Sequence, residues 1–277
     1  MGDTQVLDKY HPDATEGYDM DRTRMPVVFV GHGSPMNAIE DNAWSRTWKE
    51  LGRTLPRPEC ILAISAHWMT RGQKIRNASD NRQIYDMYGF PQELYDVEYA
   101  PAGEPIVAKQ VKELLSSEAA FDDSWGIDHG IWSVLVSMFP QADVPVVMMS
   151  TDLAADPREL YRRGTALRSL REAGVLILAS GNVVHNLALV DYSMEHGGFP
   201  WAHEFDAFIK DAILRNDTDS VVDYRSLNHA SRQAVRTPEH FYPLLYALGA
   251  SDSTDEVEVW NEDLCLGALS MTSYTFG

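Results

Sequence analysis

The sequence predicts one α/β domain: a central, mostly parallel or mixed sheet flanked by helices, with its active site at the carboxyl ends of the strands. Three observations predict this. Short, near-continuous apolar runs of strand length recur along the chain. Helical periodicities with capping residues alternate with them. Histidines stand directly after several of the runs.

The strand runs are Pro26–Val30, Ile61–Ser65, Val144–Met149 and Val175–Ala179. They lack polar alternation, so both faces are covered, as in a sheet between two helix layers. Helices are predicted over Pro105–Leu115, Pro157–Ala173 and Trp201–Leu214. The second has Asp156 as N-cap, Pro157 in its first turn and Gly174 just past its end. Another opens at Thr237-Pro238-Glu239-His240, with Thr237 as N-cap and Gly249 closing it. Val257–Thr275 contains strand-like stretches. Asp80–Ala102, rich in Tyr, Pro and Gly, reads as a long loop near a functional face. No repeat, low-complexity tract or linker interrupts the chain. Residues 1–24 are expected to be a flexible lead-in and 25–277 a single catalytic domain.

The formal charge of −18 repels phosphate backbones and argues against nucleic acid or an anionic membrane as partner. The basic residues are mostly Arg, and the acidity fits a salt-rich cell as well as an ordinary acidic protein. Cys60 and Cys265 lie in apolar runs and read as buried free thiols, which fits a reducing, cytoplasmic setting. The N-terminal stretch has no apolar segment of signal-peptide type, and no run approaches membrane-spanning length. A monomer and a small homo-oligomer are equally allowed.

The nine histidines carry the functional signal. His32 follows the first strand in Gly31-His32-Gly33-Ser34-Pro35. His67 follows the second in Ser65-Ala66-His67-Trp68. His185 follows the Val175–Ala179 run by a short turn. Ligands bind at strand carboxyl ends in open α/β sheets, so three such histidines can converge on one crevice. Imidazoles with open positions beside them make a catalytic zinc or iron site. His129 precedes a helix-like run, and His240 lies in the first turn of the predicted helix. His11 lies in the polar lead-in, His196 in a Gly-rich loop, His203 on the face of a surface helix and His229 in a polar turn, and none of the four is assigned to the site. Ser34 is not in a Gly-x-Ser-x-Gly elbow and reads as a turn cap. Trp68, Tyr85, Tyr88 and Phe90 could form an aromatic wall or simply join the core.

Five segments together resemble one family. They are Gly31-His32-Gly33-Ser34-Pro35-Met36, Ser65-Ala66-His67-Trp68, Trp125-Gly126-Ile127-Asp128-His129-Gly130, Ser180-Gly181-Asn182-Val183-Val184-His185-Asn186-Leu187 and Thr237-Pro238-Glu239-His240-Phe241-Tyr242-Pro243-Leu244. In order and spacing they are similar to the class III extradiol ring-cleavage dioxygenases, and within them to the DOPA 4,5-dioxygenase-like branch. The resemblance runs from Met25 to the C-terminus. It implies a non-haem oxidoreductase that opens a catechol-type, DOPA-like ring with O2, using one divalent metal, Fe(II) or Zn(II). It makes His32 and His67 metal ligands and maps the third ligand to Glu239-His240. The third ligand is a carboxylate in the ring-cleavage enzymes proper, and His240 is the expectation here. His185 resembles the acid–base histidine, or a fourth ligand in a zinc form. His129 resembles a catalytic residue beside the metal or facing substrate. Asp128 and Asn186 are candidates, by adjacency, to orient the imidazoles. The same donors would suit a zinc hydrolase or a non-enzymatic, Memo-like binding protein.

Overall fold

The computed structural model describes residues 23–226 and 229–277. Most of the predicted lead-in, with His11, lies outside the described residues. Strands β1 (Val27–Gly31), β2 (Cys60–Thr70), β5 (Val146–Asp152) and β6 (Val175–Gly181) match the four apolar runs. They form the parallel centre of an eight-stranded sheet, in the order β5-β2-β6-β1. On one side β3 (Gln73–Ile75) pairs antiparallel with β5, and β4 (Ala119–Phe121) pairs with β3. On the other, β10 (Ser273–Phe276) pairs antiparallel with β1, and β7 (Val257–Trp260) pairs with β10. The tail also holds a hairpin of β8 (Leu264–Cys265) and β9 (Leu269–Ser270). The sheet is thus mixed, with a parallel core.

Alternate side chains of one strand enter different cores, because successive residues face opposite sides of a sheet. Val27, Phe29, Leu62, Ile64, Ile177 and Ala179 face one core. It is closed by α3 (Pro105–Leu115), α5 (Pro157–Leu167), α6 (Pro200–Leu214) and α9 (Tyr242–Ala250). Val28, Val30, Ile61, Ala63, Leu176 and Leu178 face the other. There α1 (Ala43–Thr54) and α4 (His129–Met138) pack on them. Three shorter helices are also present among the described residues: α2 (Gln92–Tyr95), α7 (Thr218–Val222) and α8 (His229–Ala234). Both predicted cysteines are free and buried, and burial pushes each thiol pKa up to about 12. Among the described residues, no helix is long and apolar enough to cross a membrane.

Four expectations need correction. The helix predicted over Pro157–Ala173 is α-helical only to Leu167 and tightens into a 3-10 turn over Arg168–Ala173, with Gly174 closing it at φ 78°. Such tightening is common at helix ends. The helix predicted from Thr237 starts at Tyr242 instead. Pro238 O accepts from both Phe241 N and Tyr242 N, so Thr237–Phe241 is a turn. Gly249 lies inside α9 and does not close it. A Cβ there would come within 2.0 Å of Tyr161 O, so the glycine lets α9 cross α5 closely. His229 begins α8 and is not in a turn.

One buried ion pair ties the residues just before β1 to the C-terminal strand β10. The fully buried Arg171 guanidinium contacts both oxygens of Asp255, at 2.6 and 3.0 Å, and donates to the carbonyls of Met25, Ala250 and Phe276. Arg24 adds a second cation to Asp255 and also reaches Glu172 at 2.9 Å. Burial alone would raise the Asp255 pKa, but hydrogen bonds from Arg171 and Arg24 hold it below the usual value. A depressed carboxylate stabilises the fold above its unfolded pKa of about 3.9, and the contribution fades as pH falls through the folded value. Replacing Arg171 with Met should therefore cost up to about 3–5 kcal/mol at neutral pH in urea unfolding, since it leaves the buried carboxylate with the partly exposed Arg24 as its remaining cation. The deficit should shrink in acid. A cost below about 1 kcal/mol would assign the pair no role in stability.

Candidate metal centre

The carboxyl ends of β1, β2 and β6 meet at one crevice, and five histidines line it. His32 follows β1 directly. His67 does not follow a strand end, as the sequence suggested; β2 continues to Thr70. Its pairing with β5 jumps from Ile64↔Met149 to Met69↔Thr151, so the strand bulges across Ser65–Trp68. A bulge re-aims side chains, and this one carries the His67 ring to His32. Hydrogen bonds hold it open: Ser65 Oγ accepts from His67 N at 3.1 Å and donates to Asp128 Oδ1 at 2.8 Å. Thr151 Oγ1 donates to Ser65 O at 2.7 Å. His129 opens α4, with Asp128 before it. His185 lies beyond β6, bridged to Val235 and Leu269. His240 comes from the turn before α9.

That turn sits against the end of β6, where Asn182 N donates to His240 O at 2.9 Å. Only glycine allows the approach, since a Cβ on Gly181 would stand 2.1 Å from His240 O. Gly181→Ala should push the turn away, leave the fold intact by circular dichroism and weaken metal binding. A displacement near 1 Å should also cost about 100-fold in any reaction at the site. Unchanged affinity and unchanged rate would remove this contact from the account.

His32, His67 and His240 each offer a ligand atom, and the three atoms lie within 4.8 Å of one another. Every one of these rings has its Nδ1 against an oxygen. His67 Nδ1 is 2.7 Å from Asp86 Oδ2, His240 Nδ1 is 3.2 Å from Glu239 Oε1, and His32 Nδ1 is 2.9 Å from Ser180 Oγ. A carboxylate can only accept, so Nδ1 carries the proton in His67 and His240. The Ser180 hydroxyl gives its one proton to Gly130 O, so it too accepts from His32. In all three rings Nε2 is left free to bind.

His32 Nε2 and His67 Nε2 face each other at 3.3 Å. Facing lone pairs repel unless a proton or a cation lies between them. Two nitrogens about 2.0–2.1 Å from one tetrahedral ion would stand about 3.3–3.4 Å apart, so the pair fits a zinc- or iron-sized ion. His185 is placed differently. Its ring stacks on His240 with centroids 3.4 Å apart and planes within 7°. Lone pairs lie in the ring planes, and parallel planes do not meet at one ion. Glu239, His185 and His240 nevertheless form a second close group, and His67, Asp86 and His129 a third.

Burial dominates the electrostatics. It holds the His32 and His240 pKa values well below the usual imidazole range, helped by mutual repulsion among the histidines. Burial, with His67 and His129 nearby and Glu239 opposing, brings His185 down to about 4. His129 is lowered by burial despite Asp86. His67 is the exception. Burial lowers it, but the hydrogen bond to Asp86 and the charges of Asp128, Asp86 and Glu239 leave it raised. Asp86 is itself held well below the carboxylate range by His129 and His67, against burial.

The residues proposed by adjacency to orient the imidazoles do not do so. Asp128 accepts from Ser65 and from Trp125 Nε1, and Asn186 bonds Gln233 O and Ala188 N. The carboxylate that contacts the His67 ring is Asp86. It stands in the loop flagged as near a functional face but was not singled out. The aromatic wall divides: Trp68 is core and Phe90 half-buried beside it, whereas Tyr85 is partly exposed and Tyr88 is 92% exposed. Ser34 caps its turn as predicted, accepting from Met36 N. His196 meets Asp263, and His203 accepts from Gly198 N.

Residues 26–277 match the family model described as the catalytic LigB subunit of aromatic ring-opening dioxygenase. The chain is 41% identical to an Escherichia coli K12 protein named 4,5-DOPA dioxygenase extradiol, over 93% of this chain and 97% of that one. It is 34% identical to a Beta vulgaris protein of the same name, over 90% and 96%. A crystal structure of an uncharacterized Escherichia coli K12 protein superposes with a TM-score of 0.81 at 38% identity, covering 92% of this chain and all of that one. The chain belongs to the LigB family of aromatic ring-opening dioxygenases.

Proposed function

We propose that this enzyme is an extradiol dioxygenase that opens a catechol-type, DOPA-like ring with O2 at one divalent ion held by His32, His67 and His240. The observation that carries this reading is the set of three imidazoles, each fixed through Nδ1 and each presenting Nε2 to the same small space. Ferrous iron there would supply open positions for a chelating diol and the redox chemistry by which the diol reacts with dioxygen. Three neutral protein ligands leave such positions free, as a catalytic centre requires.

The remaining roles belong to side chains. His185 lies beside the ligand group, and its stacking on His240 keeps its lone pairs off the shared ion. It is suited to take the proton of a catechol hydroxyl on a ring nitrogen and to return it later to an oxygen of the opened ring. His129, 3.9 Å from the His67 ring by centroids, flanks the ligand group beside His67 and would face bound substrate. Glu239 supports His240 through Nδ1, so the carboxylate acts through the histidine instead of replacing it. The free buried thiols fit a cytoplasmic enzyme.

The direct test is turnover of L-DOPA and simpler catechols by iron-loaded protein under 18O-labelled dioxygen. The expected product is a yellow semialdehyde in which both labelled atoms appear. Anaerobic turnover by the zinc form in 18O-labelled water, with that label in the product, would show a hydrolase and overturn the reading.

A further inference from the structure

Asp86 makes two contacts that join the two halves of the crevice. Oδ2 accepts from His67 Nδ1 at 2.7 Å, and Oδ1 accepts from His129 N at 2.9 Å. The His129 Nδ1 atom is 3.0 Å from Oδ1 but is not aimed at it, and it has no hydrogen-bond partner. The backbone contact is therefore the one that holds His129. Both groups facing Asp86 are donors, which explains a carboxylate at this position. An amide has one acceptor oxygen and would lose one of the two contacts.

The loop that delivers Asp86 is tied down. Buried Arg76 gathers it, donating to Asn81 Oδ1, Asp80 O, Asp123 O and Trp125 O. Ile84 N donates to Ile127 O, Ile127 N donates to Arg82 O, and Trp132 Nε1 donates to Ile84 O. The carboxylate is thus presented from a fixed frame, although it lies 19 positions from His67 and 43 from His129 in sequence.

We propose that Asp86 is a positioning residue that sets the His67 ring as an Nε2 ligand and fixes the start of α4, and so His129, against it. The inference rests on the metal site proposed above. The test uses the full chain with Co(II) as probe. Wild type, Asp86→Asn, Asp86→Ala and Asp86→Glu are titrated against a competing chelator, the Co(II) visible spectrum is recorded, and His240→Ala serves as control. Asp86→Ala should weaken Co(II) binding about 10- to 100-fold and shift the visible bands. Asp86→Asn should fall between Asp86→Ala and wild type, and Asp86→Glu should recover part of the loss.

A second reading is independent of metal. In metal-free protein above the pH at which His67 titrates, ring 15N shifts should show the Nδ1–H tautomer in wild type and a mixture in Asp86→Ala. A merely structural role would leave that signature unmoved. Unchanged affinity, bands and tautomer in Asp86→Ala would overturn the proposal. If wild type fails to bind Co(II), or His240→Ala binds as tightly, the metal-site reading is what fails. The tautomer measurement then still decides whether Asp86 positions His67.

Discussion

His240→Ala is expected to lower divalent-metal affinity by more than about 100-fold, beyond the 10- to 100-fold that an outer hydrogen bond commands. The fold should remain, because the 237–241 turn is anchored through backbone atoms: His240 O accepts from Asn182 N and Pro238 O from Tyr242 N. Ring-opening turnover should disappear with the metal. Glu239→Gln is the informative partner. Its oxygen meets Nδ1 of His240 and also accepts from Thr237 Oγ1 at 2.8 Å. Removing its charge should cost about 10- to 100-fold in metal affinity and leave a site that fills at higher metal concentration. Metal content after dialysis, with an affinity titration, separates the two. If Glu239→Gln empties the site while His240→Ala keeps it filled, the carboxylate is the ligand and the assignment reverses.

His185→Ala is expected to do the opposite. Metal affinity should change by no more than a few-fold, because the stacked ring would send no lone pair to an ion shared by the other three. Ring-opening turnover should fall by about 100- to 10,000-fold, the usual span for losing a positioned acid–base group. His185→Asn should not restore it, since an amide cannot carry the proton. The check is single-turnover kinetics at verified iron occupancy. Loss of iron from His185→Ala with the fold retained would make His185 a ligand.

The central strands were legible because burial on both faces leaves unbroken apolar runs, as at Val27–Val30 and Val175–Ala179. The short strands β3 and β4, at one end of the sheet, carry three residues each and leave no periodicity to read. The start of α9 was misplaced because Thr237-Pro238-Glu239 has the composition of a helix opening, while Pro238 O closes a turn there.

The histidines of the site could be found from their placement near strand ends. How they are held could not. The bulge that turns His67 inward depends on Ser65, Asp128 and Thr151, which meet only in the fold. Asp86 was hidden for the same reason: its partners are remote in sequence, and adjacency pointed to Asp128 and Asn186. A usable signal was an acidic residue between Tyr85 and Met87 in the loop already assigned to the functional face.

The most direct measurement is the position of the metal in crystals loaded with Fe(II) under anaerobic conditions, located by anomalous scattering at the iron edge. The account predicts one peak at bonding distance from Nε2 of His32, His67 and His240, with His185 outside bonding range. A peak held by Glu239 and His185, or one shared between His67, Asp86 and His129, would contradict it.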